Sequence, residues 1–220
     1  MTTEELVSLY QSPDELGDPP ALRGMEDADW SALDKPNTNI PALLRALVSG
    51  TWEHQDCARQ DLCWAICHQG TVCADTAIAL PFLLNLLEDE SCQNKQAIAD
   101  LVAYIATGSP PFAQCDGNPQ ELARYEAIVK RPLQADIEAG RQLAANIRRQ
   151  ITTRIDLLYP YLRDRDPSVR WAVVRAFGAL PEVARRLGPQ WEQLLEGERE
   201  PFVRTALEEV IAGMKSSEVT

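Results

Sequence analysis

From Ile40 to Ala212 the chain is read as a succession of short amphipathic helices, because its apolar residues recur at spacings of three and four. Ile40 to Val48 carries Leu43, Leu44, Leu47 and Val48 on one side, and Ser49-Gly50 ends it. His54 to His68 places Cys57, Ala58, Leu62, Ala65 and Ile66 together, and Gln69-Gly70 breaks it. The spacing predicts further helices over Thr76 to Leu87, Asn94 to Thr107, Gln120 to Lys130 and Ser168 to Leu180. Pro181 to Leu195, interrupted at Gly188-Pro189, and Pro201 to Ala212 complete the series. A long amphipathic run, Leu133 to Leu158, lies between, and Ile151 to Leu162, which overlaps its end, is read as the first helix of a new pair. No segment alternates as a strand does, so the expected class is all-α.

Within this succession one pattern occurs twice. Asp166-Pro167-Ser168-Val169-Arg170-Trp171-Ala172-Val173 is repeated as Glu200-Pro201-Phe202-Val203-Arg204-Thr205-Ala206-Leu207, 34 residues later. That period belongs to stacked-repeat architectures. Proline suits the first helical position, where its missing N–H had no partner, and the acid before it favours the positive end of the helix. Leu43-Leu44 and Leu83-Leu84 hold like places in two other helices, 40 residues apart. The expected organisation is an acidic cap and loop (1–39), two helix pairs (40–107), an inserted loop with added helices (108–150), two more pairs (151–214) and a polar tail (215–220). Thr3 to Tyr10 is read as a short capped helix, and Met25 to Leu33 as another that carries Trp30 inward.

The helix pairs with Asp-Pro-x-Val-Arg opening the second member resemble HEAT repeats. Asp166, Pro167, Val169 and Arg170 match the motif, and Pro201, Val203 and Arg204 match its second copy. Ala77 to Leu87 is similar to first helices in small bacterial HEAT-like proteins. The resemblance implies a short right-handed α-solenoid of about four pairs, whose curved face most often binds a protein. It also implies that Asp166, Arg170 and Arg204 bond within or between repeats.

Charge sharpens the picture. The net charge is −12, and residues 1–34 hold nine acids against Arg23 alone. Residues 148–186 run the other way, with nine arginines against four acids. Arg148, Arg149, Arg175, Arg185 and Arg186 have no role in the repeat pattern and are candidates for a partner surface. An acidic chain argues against general nucleic-acid binding, which runs on positive charge. It suits a basic protein partner, which an antagonist or immunity-type protein would mask. The competing reading is an enzyme on a HEAT-like scaffold, similar to the alkylpurine DNA glycosylases or the bilin lyases. No apolar run approaches the length of about 18 residues that a membrane span needs. The first ten residues have two acids and no cation, unlike a secretory signal, so a cytoplasmic protein is expected.

Candidate chemistry is sparse. His54, Cys57, Cys63 and Cys67 are ligand types for zinc, but Cys-x-x-Cys is absent and the two pairs stand about 14 Å apart along one helix. Core thiols are the expectation, with no cofactor and no catalytic residue. Trp64, flanked by Cys63 and Cys67, suggests packing, as do Trp52, Trp171 and Trp191, whereas any of them exposed on a concave face would be an anchor for a partner. No phosphate loop, nucleophile elbow or His-Glu-x-x-His helix occurs.

Overall fold

The computed structural model describes residues 2–12, 18–30 and 39–217, and among them every regular element is helical. The α-helices are α1 (Thr3–Tyr10), α2 (Ile40–Ser49), α3 (Trp52–Ile66), α4 (Ala74–Glu88), α5 (Lys95–Ala106) and α6 (Pro119–Val129). They continue as α7 (Gln134–Thr153), α8 (Pro167–Gly178), α9 (Pro181–Leu187), α10 (Gln190–Gly197) and α11 (Pro201–Ser217). Local chemistry sets the starts. The Thr2 hydroxyl accepts from Glu5 N while the Glu5 carboxylate accepts from Thr2 N at 2.7 Å, a reciprocal cap for α1. Asn39, Thr51, Asn118 and Asp166 cap α2, α3, α6 and α8 with side-chain oxygens.

Four helices form a row. α3 packs on α5, α5 on α8, and α8 on α11. They run in the same direction, as contacts at matching ends require. The Gln96 amide donates to Asp164 near the starts of α5 and α8, and Thr107 and Arg175 share a cleft near their ends. Arg59 of α3 pairs with Asp100 of α5, and past both helices Thr71 and Ser109 make a parallel bridge. A second set of elements backs the row: α2 against α3, α4 against α5, the 3₁₀ segment Tyr159–Arg163 against α8, and α10 against α11. One continuous core lies between, from Leu6 to Val210.

The sequence expectation differs from the structure at four points. α7 is one helix from Gln134 to Thr153, so the expected boundary at residue 150 falls inside it. Its halves serve different cores. Ala144, Ile147 and Ile151 join the main core, whereas Ile137 packs with Leu133 and Cys115 in a satellite cluster beside Phe112 and Tyr125. The partner of α8 is then not a helix over Ile151 to Leu162 but two 3₁₀ turns, Ile155–Leu157 and Tyr159–Arg163. The described part of Met25 to Leu33 forms turns and a single 3₁₀ position, yet Trp30 does pack inward, against Phe82, and donates to Met25 O. Residues 31–33 lie outside the described residues. At the other end α11 continues to Ser217, beyond the expected start of the tail.

The N-terminal segment is held by a buried cation. Arg45 of α2 is 6% exposed. Its guanidinium binds both oxygens of Asp18, at 2.6 and 2.9 Å, and Gln11 O at 3.1 Å. Asp18 is what allows this charge to sit inside, since a buried arginine without a partner is costly.

Candidate binding face

The repeat residues are internal ties. Val169 and Val203 are buried. Asp166 caps α8, its Oδ1 accepting from Ser168 N at 2.8 Å. Arg170 donates to Asp164 O, and Arg204 to Glu198 O, in each case six residues back along the chain. The acids at those two positions, Asp164 and Glu198, also accept from the backbone N–H two residues on, Asp166 N at 2.8 Å and Glu200 N at 3.0 Å. The two copies therefore repeat a hydrogen-bond pattern as well as a sequence. Arg170 also grips both carboxylate oxygens of Glu198, at 2.7 and 2.8 Å, across the interface between copies. The fork geometry holds the Glu198 carboxyl down at about 2, helped by the N–H groups of Glu200 and Arg199, while burial opposes the shift. Sequence reasoning picked Asp166 and Glu200 as the turn acids and missed Asp164 and Glu198, although both pairs stand 34 residues apart.

The five candidate arginines do not line a single cleft. Arg148 donates to Gly108 O at 2.9 Å and secures the loop after α5. Arg149 is exposed. Arg175 and Arg185 line one cleft, and Arg186 lines a different groove.

The cleft lies at one end of the four-helix row, with a volume of about 470 Å³. Thr107 follows α5 on one side, Arg175 and Arg185 come from α8 and α9, and Glu209, Val210 and Met214 of α11 close the other. Gly178 keeps the floor thin: a Cβ there would meet Val210 Cγ2 at 2.7 Å. Aromatic side chains continue this end of the row. The Arg175 guanidinium lies over the Trp171 ring, 4.8 Å from its centre. Tyr104 of α5 is near enough to feel Arg175, and its hydroxyl lies against Gly70. Burial pushes the Tyr104 phenol up, the Cys63 and Cys67 thiols add to the rise, and Gly70 and Arg175 oppose it. Trp64 of α3, against the ring of His68, is 62% exposed. It therefore points outward, contrary to the expectation that it packs inside. Of the other tryptophans, Trp191 is fully buried and Trp52 is exposed.

Toward the starts of the row's helices stand several acids, together with the exposed Trp52 of α3 and Phe202 of α11. Asp56 and Asp100 flank Arg59, at 3.1 and 3.7 Å. Burial pushes the Asp100 carboxyl up; Arg59 opposes this and nearby Asp166 reinforces it. Trp64 and Tyr104 were visible in principle. Each stands off the apolar stripe of its own helix, Ala58-Leu62-Ala65-Ile66 in one and Ile98-Leu101-Val102-Ile105 in the other.

The metal candidates disperse. Tyr10 OH and His54 Nδ1 are hydrogen-bonded at 2.8 Å, which commits the His54 ring to α1. Cys67 is not on α3 but just past its end, with φ −150° and ψ 49°. Burial pushes the Cys67 thiol up to about 12, and the neighbouring Cys63 and Cys73 thiols push the same way. A thiol so reluctant to ionise is a poor ligand and a poor nucleophile. Among the described residues no three His, Cys, Asp or Glu side chains converge as a metal site would require. Nor, among them, is any helix long and apolar enough to cross a membrane.

Against known proteins the chain stands apart: no family model matches it, and neither the curated proteins nor the solved structures contain a significant match.

Proposed function

We propose that this chain is a HEAT-like α-solenoid, built of about four helix pairs, that binds another protein on the exposed face of α3, α5, α8 and α11. The shared direction of the four helices and the repeated Arg170 and Arg204 hydrogen bonds support the solenoid reading. One observation carries the binding reading: Trp64, Tyr104 and the Trp171–Arg175 stack come from three helices yet lie at the same end of the face, beside the cleft. Tryptophan, tyrosine and arginine are the residues that most often anchor interfaces, the two aromatic ones because they offer large area at little entropic cost. The partner we infer is basic. The chain's −12 speeds the approach of a cation-rich surface. An antagonist of a basic enzyme or toxin would have this form.

The test is paired capture from extract of the native host, using tagged wild type, a W64A/W171A variant and a W52A control. The expected result is one stoichiometric basic protein on wild type and on the control, released by high salt. Its recovery on W64A/W171A should fall at least about thirtyfold, the cost of one aromatic anchor. Equal recovery on all three would contradict the reading. Nucleic acid in place of protein would favour a glycosylase-like scaffold instead.

A further inference from the structure

A second groove lies in the layer behind the row, and its chemistry has the opposite sign. It runs between the 3₁₀ segment Tyr159–Arg163 and α10. Leu162, Leu187 and Leu194 form an apolar floor, and Arg163 and Arg186 line it, in a volume of about 390 Å³. It continues past Leu162, Arg163 and Leu194 into a further stretch of about 380 Å³. There the acids are already engaged: Glu198 with Arg170, and Asp164 with the Gln96 amide and Asp166 N.

Two observations give the groove its meaning. Most arginines near a surface acid are paired with it, Arg59, Arg141, Arg154 and Arg170 among them. Arg163 and Arg186 are exposed and, among the described residues, have no carboxylate within salt-bridge reach. In a chain with 33 acids against 21 lysines and arginines, a groove whose first stretch holds two arginines and no acid departs from the rest of the surface. The walls are also fixed in advance. Tyr159 packs on Phe177 with ring centres 5.2 Å apart, and Phe177 packs on the buried Trp191. A site that is already ordered loses little entropy when a ligand settles in it. Arg185, next to Arg186 on α9, lines the other cleft, so the short helix separates two basic recesses.

We propose that this groove holds an acidic segment of a protein, with an apolar side chain on the leucine floor and carboxylates on Arg163 and Arg186. A peptide fits better than nucleic acid. The groove's one aromatic ring, Tyr159, is taken up by Phe177 and offers no stacking platform for a base, whereas the leucine floor suits an apolar side chain. The site is independent of the face proposed above and would make the protein a two-sided adaptor.

The test is selection of a random phage-displayed peptide library on the full chain, followed by binding of the enriched peptides to R163E/R186E and to W171A/R175A. Far-ultraviolet circular dichroism and the unfolding midpoint verify that both variants fold; R163E/R186E, which changes two exposed side chains, should leave both readings unchanged. The expected result is a consensus pairing Asp or Glu with Leu or an aromatic residue. Its affinity should fall more than about tenfold on R163E/R186E, the scale of losing a charge-assisted contact, and hold on W171A/R175A. Three results would each overturn the proposal: no acidic consensus, a consensus bound equally by R163E/R186E, or a labelled single-stranded oligonucleotide that binds wild type and is lost with those arginines.

Discussion

Arg45 is the single side chain on which the N-terminal segment most depends. It reaches residues 11 and 18 from α2, and it does so from inside the molecule. Replacing it with methionine would fill much of the space but leave Asp18 buried without its partner. Breaking a buried pair from one side costs about 3–5 kcal/mol. Urea unfolding of R45M should therefore show a loss near about 3 kcal/mol, while R45K, which keeps the charge but not the fork, should lose less. Glu198 sets an acid limit on stability. Its carboxyl lies near 2 in the folded chain against an ordinary 4.5, so folding favours its charged form. That contribution is complete above pH 4.5 and disappears as the pH falls toward 2. Its size is on the order of 2 kcal/mol, and E198Q should flatten this part of the pH–stability curve. Arg170 and Arg204 were legible as structural residues from their place in the repeat. The partner of Arg170 was not, because Glu198 lies 28 residues away with α9 and α10 between.

At the scale of elements, the contact between α8 and α11 depends on a missing side chain. Gly178 ends α8, and a methyl group there would press on Val210 Cγ2. Alanine favours helix over glycine by up to about 1 kcal/mol, yet forcing an extra carbon into a packed interface costs about 1–3 kcal/mol. G178A should therefore lower the thermal midpoint, and V210A in the same chain should recover part of the loss, which a double-mutant cycle would measure. Helix positions were legible wherever apolar spacing met a clear cap, as at Asn39, Asp166 and Pro201. α7 was not, because a helix that serves two clusters shows one unbroken apolar stripe and nothing in that stripe says where one core yields to the next. Pro160 stands at the start of the second 3₁₀ turn, where its missing N–H leaves no bond unmade, and the end of α7 before Ile155 has no counterpart in the apolar spacing.

For the molecule as a whole, the sequence carried the helical class and the uneven charge, but not the surfaces. Which side an arginine faces depends on packing between helices far apart in the chain, so a run with a local charge of +5 was divided among a loop tie, a cleft and a groove. In the row of α3, α5, α8 and α11, Trp64, Tyr104 and Trp171 come together toward the cleft, and the proposed function rests on that group. Hydrogen–deuterium exchange with and without the captured protein tests it most directly. New protection is expected in α3, α5, α8 and α11, strongest around Trp64, Tyr104 and Trp171, with α1 and α6 unchanged. Protection confined to α1 and α6, or spread without regard to the row, would contradict it.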